Sequence, residues 1–174
     1  MKNNLPASGE SALSTALQAL SRRQLTVFQL QKRLQDKGFS PEAIAEAVSR
    51  LTEWKYLDDQ GYARAYINSK KEKYSPKRIK IELLKAGIDE DTASGLLADY
   101  YPEKQEYENC KILAEKFWND EDAKWERKHR HDPQDMYSIK EAMIRKKVGD
   151  RLLKRGFLFS TVRAVLNRIE REDF

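Results

Sequence analysis

Leu30-Gln-Lys-Arg-Leu34-Gln-Asp-Lys37-Gly38-Phe39 is written three times, in variation, along this chain. The second version is Ile79-Lys-Ile-Glu-Leu83-Leu-Lys85-Ala-Gly87-Ile88, and the third is Val148-Gly-Asp-Arg-Leu152-Leu-Lys-Arg155-Gly156-Phe157. Apolar residues stand eight and four positions before each glycine and one position after it. A spacing of four keeps side chains on one face of a helix. The glycine then ends that helix, because it enters the left-handed region at low cost, and the apolar residue after it folds back on the helix end. Further apolar residues follow six, ten and thirteen positions on: Ile44, Val48 and Leu51; Ala93, Leu97 and Tyr100; Val162, Leu166 and Ile169. Each glycine therefore marks a helix–turn–helix.

Working outward, a further helix precedes each pair. One spans about Ser11 to Arg23 with Leu13, Leu17 and Leu20 on a face; one spans about Asp59 to Lys73 with Tyr62, Tyr66 and Ser69 in line. The third starts near Pro102, with Tyr107, Cys110, Ala114 and Phe117 on a stripe. Start signals agree with this division. Thr26 and Ser75 stand at the same offset before their glycines and read as N-caps, Asp89 and Asp59 read as caps in the second unit, and Pro41 and Pro76 suit the first helical position. The expected organisation is a tail over 1–10, repeats over 11–55, 56–101 and 102–171, and a tail over 172–174. Gly156 follows Gly87 by 69 residues where Gly87 follows Gly38 by 49, so the third repeat carries a charged insertion at about 119–135. We read it as an extension of the helix to about residue 130 followed by a loop ending at Pro133. The fold class expected is all-α: three tandem three-helix, helix-turn-helix-like repeats. Units this poor in apolar positions need their neighbours to bury a core, which points to an elongated, curved array of the kind used for binding.

Composition narrows the function. Charged residues make up 35% of the 174 and hydrophobic residues 40%, so the apolar side chains must occupy narrow faces. The net charge of +5 fits a polyanionic partner, tempered by 28 acidic residues. No apolar run reaches the roughly 18–20 residues of a membrane span, and Met1 to Glu10 has no apolar signal core. The single cysteine, Cys110, fits a reducing compartment, and the cytoplasm is the expected location. There is neither a Gly-x-x-x-x-Gly-Lys-Ser/Thr loop nor a Gly-x-Gly-x-x-Gly, so no nucleotide chemistry is expected of the chain. Asp58-Asp59 reads as helix capping rather than a carboxylate pair, Cys110 as core, and His129 with His131 lacks the partners of a metal site. No enzyme activity, cofactor or metal is expected.

The middle of the chain resembles a known family. Tyr56-Leu57-Asp58-Asp59-Gln-Gly-Tyr62-Ala63-Arg64-Ala65-Tyr66, followed by Ser75-Pro76-Lys77-Arg78-Ile79-Lys-Ile-Glu82-Leu83 and Gly87-Ile88, is similar to the signature region of the RecX family. Upstream Leu20-Ser-Arg-Arg23 with Lys37-Gly38-Phe39, and downstream Leu152-Leu-Lys-Arg-Gly156-Phe157, resemble its flanking repeats. The resemblance covers roughly 11–171 and implies tandem three-helix units. It also implies a cytoplasmic regulatory protein that binds the RecA–DNA filament and inhibits or modulates recombinase, strand-exchange and ATPase activities in homologous recombination and the SOS response. The alternative is a general nucleic-acid-binding helical scaffold that acts without RecA.

Two basic runs are the candidate contact residues: Lys70, Lys71, Lys73, Lys77, Arg78 and Lys80, and then Arg145, Lys146, Lys147 and Arg151. They could meet phosphates of single- or double-stranded DNA or acidic protein surface, or they could be a solvated helix face. Trp54 and Trp118 read as core; Trp125 stands among charges. Sequence-specific DNA reading is disfavoured, because the helices over Pro41–Leu51 and Glu90–Tyr100 are acidic or neutral. The partner expected is a RecA filament met by a monomer, with no membrane involved.

Overall fold

The computed structural model describes residues 11–129 and 137–172. The expected N-terminal tail, the loop ending at Pro133, His131 and the last two residues lie outside the described residues. Nine helices run through the described ones: α1 Ala12–Arg22, α2 Val27–Asp36, α3 Pro41–Glu53, α4 Asp59–Lys70, α5 Pro76–Lys85, α6 Glu90–Tyr100, α7 Glu103–Lys128, α8 Tyr137–Leu153 and α9 Phe159–Glu172. The chain is all-α and built from repeated three-helix units. By contact it falls into two compact units, residues through Tyr66 together with Lys80–Leu96, and Ile67–Ile79 together with Leu97 onward. The middle three helices therefore contribute to both.

The three glycines do what their spacing predicts. Gly38, Gly87 and Gly156 have φ of 84°, 88° and 89°. After α2 the Gly38 N–H donates to the Gln35 carbonyl at 2.9 Å and Phe39 N–H to Leu34 at 3.3 Å; after α5 Gly87 donates to Leu84 at 2.9 Å and Ile88 to Leu83 at 3.1 Å. This pairing satisfies carbonyls that the helix end would otherwise leave open. The residues eight and four before each glycine are all buried: Leu30, Leu34, Ile79, Leu83, Val148 and Leu152.

In the first unit the core joins Ala12, Ala16, Ala19, Leu25, Leu30, Leu34, Ile44, Ala47, Leu51 and Leu57. The innermost face of α1 is the alanine face, and Leu13, Leu17 and Leu20 pack on its flanks, contrary to the leucine stripe expected. Alanines let α1 approach α2 and α3 closely, which leucines facing inward would prevent. In α4 the buried pair is Ala63 and Ile67; Tyr62 and Tyr66 are half-buried and stack on each other at 6.2 Å, so the aromatic line is not the core face.

Two further expectations are corrected. Tyr100 is exposed and Tyr101 is buried, because α6 follows a strict spacing of four through Ala93, Leu97 and Tyr101, whereas α3 uses Ile44, Ala47 and Leu51. Trp54 is 52% exposed, at the end of α3 beside Lys55, whose φ is 59°.

Capping is as dense as the sequence suggests. Thr26 Oγ1 accepts from Gln29 N–H at 3.1 Å, Ser40 Oγ from Ala43 at 3.3 Å, Ser75 Oγ from Arg78 at 3.2 Å and Asp89 Oδ1 from Thr92 at 2.8 Å. The acidic pair divides its work. Asp58, not Asp59, caps α4 by accepting from Gly61 N–H at 2.8 Å, and Asp59 reaches instead to Val27 N–H at the start of α2, 2.9 Å away.

The second unit has its core in Cys110, Ala114 and Phe117 of α7, Ile144, Val148 and Leu152 of α8, and Phe157, Val162, Val165, Leu166 and Ile169 around α9. The α7 stripe is the one expected, and α7 runs unbroken through the charged segment to Lys128. Burial, and secondarily Glu106, pushes the Cys110 thiol up to about 12.

Candidate interaction surfaces

One joint recurs, once in each unit. In the first unit the Thr26 hydroxyl that caps α2 also donates to the Ala86 carbonyl at 2.5 Å, and Ala86 immediately precedes Gly87. In the second unit Ser75 N–H donates to the Arg155 carbonyl at 3.1 Å, and Arg155 immediately precedes Gly156. Approach is so close that a Cβ on Gly87 would lie 2.2 Å from Phe28 Cβ, and one on Gly156 would lie 2.7 Å from Ser75 Oγ and 2.8 Å from Arg78 Cβ. The glycines thus serve twice, as left-handed helix ends and as bare backbone against which the helix start of the preceding repeat rests.

The Ser75–Arg155 bond also decides what becomes of the two basic runs. Ser75 sits between Lys73 and Lys77, and Arg155 follows the end of α8, so the middle of the first run meets the chain just beyond the second run in the second unit. Lys73, Lys77 and Arg78 are exposed and Lys70 and Lys71 half-exposed. Among the described residues Lys71, Lys73 and Lys77 form no ion pair, and the Lys71 carbonyl accepts from Asn109 Nδ2 at 2.9 Å. Lys80 belongs to the first unit and pairs with Glu90 at 2.9 Å.

The α8 run is largely engaged inside its own unit. Arg151 bonds Glu121 at 3.1 Å and Asp120 at 3.3 Å, and its guanidinium lies 3.8 Å from the centre of the Phe117 ring. Lys147 lies 3.5 Å from Glu121, and Lys140 pairs with Asp122 and Glu126. Glu121 is buried, and its hydrogen bond from Lys124, reinforced by Lys147, holds its carboxyl below the usual carboxylate range. The acidic stretch of α7 that stood out in the sequence as an insertion is the countercharge of the α8 run. Arg145 donates to Asn167 Oδ1 at 2.6 Å, which ties α8 to α9. Lys146 is exposed.

Sequence reasoning passed over a groove between α8 and α9, of about 430 Å³, with Gly149, Leu153, Phe159 and Val162 on its floor and Arg145, Lys146, Asp150 and Arg163 on its rim. The available signal was doubled apolar residues: Leu153 beside the core Leu152 and Phe159 two beyond the core Phe157. One of each pair is buried; the other is left over.

Among the described residues no group of three or more His, Cys, Asp or Glu side chains is placed to hold a metal ion, and no helix is long and apolar enough to cross a membrane. His129 stacks on Trp125, with ring centres 3.9 Å apart.

Two family models match the chain in succession, the first three-helix domain of RecX over residues 12–51 and the second over residues 58–97. The chain belongs to the RecX family. Beyond those two domains, the regulatory protein RecX of Bacillus subtilis is 30% identical over 166 residues, 94% of this chain and 57% of that protein. Regulatory protein RecX of Caldanaerobacter subterraneus subsp. tengcongensis is 40% identical over 108 residues, 62% of this chain and 55% of that protein. The chain thus spans little more than half the length of these curated relatives. A crystal structure of RecX from Lactobacillus salivarius superposes with a TM-score of 0.65 at 25% identity, covering 91% of this chain and 94% of that one. The RecX relatives are named as regulatory proteins.

Proposed function

We propose that this RecX-family chain binds the RecA–DNA filament and lowers its recombinase, strand-exchange and ATPase activities in homologous recombination and the SOS response, working as a cytoplasmic monomer. The observation that carries the reading is the succession of family repeats joined to a basic surface in the second unit. There Lys71, Lys73 and Lys77 stand without ion pairs among the described residues, while Lys147 and Arg151 of the α8 run are neutralised from within by Glu121 and Asp120. Cations left free in this way are available to acidic protein surface or to DNA phosphates. The proposed contact set is therefore led by Lys71, Lys73 and Lys77 with Lys146 beside them; Lys70, Arg78, Arg145, Lys147, Arg151 and Lys80 contribute less because each already holds a partner. The proposed division into repeats over 11–55, 56–101 and 102–171 places the surface where the second repeat meets the third.

The test is co-sedimentation with RecA filaments on single-stranded DNA. Reversing Lys71, Lys73 and Lys77 to glutamate should abolish pelleting with the filament while leaving the circular dichroism and melting curve unchanged. Undiminished pelleting of the folded triple variant would remove this surface from the account. If the wild-type chain pellets equally with bare DNA, and with a steep salt dependence, the scaffold acting without RecA takes its place.

A further inference from the structure

The groove between α8 and α9 has three properties that belong together. Its floor is apolar and open: Leu153 is 41% exposed and Phe159 68%, although Leu153 follows the core Leu152 and Phe159 lies two beyond the core Phe157. Its volume of about 430 Å³ lies within the range of ligand sites, roughly 300–1,000 Å³. Its rim is unbalanced, with Arg145, Lys146 and Arg163 facing the single carboxylate of Asp150. Arg145 holds Asn167, whereas Lys146 and Arg163 form no ion pair among the described residues.

Gly149 makes the groove more than a gap between helices. It lies in the interior of α8, where glycine weakens a helix relative to alanine. The fold does not demand it. Its φ is not in the left-handed region, and a Cβ there would meet only Leu166 Cδ1 at 3.6 Å, an ordinary van der Waals contact. This is unlike Gly87 and Gly156, which both the backbone and the close approach require. A glycine that neither backbone nor packing needs, on the floor of an apolar groove, keeps that floor low.

We infer that this groove docks an acidic amphipathic helix of a partner protein, with apolar side chains at i, i+3 or i+4 seated over Gly149 between Leu153 and Phe159, and carboxylates paired with Lys146 and Arg163. A channel between two helices is the form that takes a third helix by its apolar face. The charge on the rim selects an acidic one, and the floor suits side chains rather than phosphates. The inference does not depend on the partner being a recombinase, and its test contains none, so it can fail while the filament reading stands and the reverse.

The experiment uses the full chain and a fluorescein-labelled helical peptide with glutamates on one face and leucine or phenylalanine at i, i+3, i+4 and i+7 on the other. Two control peptides carry lysine in place of glutamate, or serine in place of the apolar residues. Anisotropy should show saturable binding of the first peptide and at least tenfold weaker binding of both controls. Gly149→Met, which fills the floor, and the double variant Lys146→Glu with Arg163→Glu should each weaken the first peptide at least tenfold, and Gly149→Ala should melt no lower than the wild type. Should Gly149→Met not fold, the exposed rim pair still decides the matter. Equal binding of the three peptides, or unchanged binding by the folded rim variant, overturns the inference. So does displacement of the peptide by an oligo-thymidine strand at comparable concentration, which would make the groove a nucleic-acid site. A concentration-dependent doubling of mass that Gly149→Met abolishes would overturn it too, by assigning the groove to a second copy.

Discussion

Replacing Gly87 by alanine should be far more damaging than replacing Gly95, although both changes add one methyl group. Gly95 sits inside α6 with nothing within 4 Å of where a Cβ would stand, so Gly95→Ala is expected to stabilise by about 0.5–1 kcal/mol through helix propensity alone. Gly87 carries two separate penalties. Its φ of 88° costs an L-residue about 1–2 kcal/mol. The new Cβ would also stand 2.2 Å from Phe28 Cβ and 2.5 Å from its Cγ, atoms too near the backbone to swing away, and forcing such overlap adds about 1–3 kcal/mol. Gly87→Ala should therefore lose about 2–5 kcal/mol in all. Urea unfolding of the wild type and both variants, followed by far-UV circular dichroism, measures the difference directly. If Gly87→Ala is as harmless as Gly95→Ala, then Gly87 is neither an obligatory left-handed position nor the seat of the joint with α2.

Other consequences are as specific. Cys110, fully buried and with its thiol pushed up to about 12, should resist alkylation in the folded chain and react on unfolding; rapid native labelling would contradict its place in the core. Because the folded state holds that proton above the ordinary thiol value of 9.0 and the unfolded state releases it, stability should fall as pH rises from about 9 towards 12, less steeply in Cys110→Ala. Thr26→Ala removes both a cap and the bond to Ala86, for a loss of about 1–3 kcal/mol that Thr26→Ser should largely restore in thermal melts. Arg151→Ala, which strips Glu121 and Phe117 of a partner, should cost about 1–3 kcal/mol, whereas Lys77→Ala should stay within about 0.5 kcal/mol; equal effects in urea unfolding would contradict the division between internal and external cations.

What the sequence made legible was whatever is local. The glycine spacing carries the helix ends, since left-handed φ and a following apolar residue are properties of a few neighbours, and all three glycines have positive φ. Thr26, Ser75 and Asp89 were readable as caps for the same reason. Choices between adjacent residues were not readable. Whether α6 buries Tyr100 or Tyr101 depends on the phase of the helix against its neighbours, and whether α1 turns alanines or leucines inward depends on how close α2 and α3 come. The candidate surface divides similarly. Two basic runs are visible in the chain, but the pairing of Arg151 with Asp120 and Glu121 joins residues some thirty positions apart and sorts structural cations from available ones. The double role of Asp58 and Asp59 needed the fold as well, since one serves its own helix and the other serves α2.

The most direct test of the central claim is the ATPase rate of the cognate RecA on single-stranded DNA as this chain is titrated in below stoichiometry. The account predicts a marked fall at concentrations where the chain does not bind bare DNA, and no fall with the variant in which Lys71, Lys73 and Lys77 are glutamate. An ATPase rate that stays constant up to an excess of the chain over RecA would contradict it.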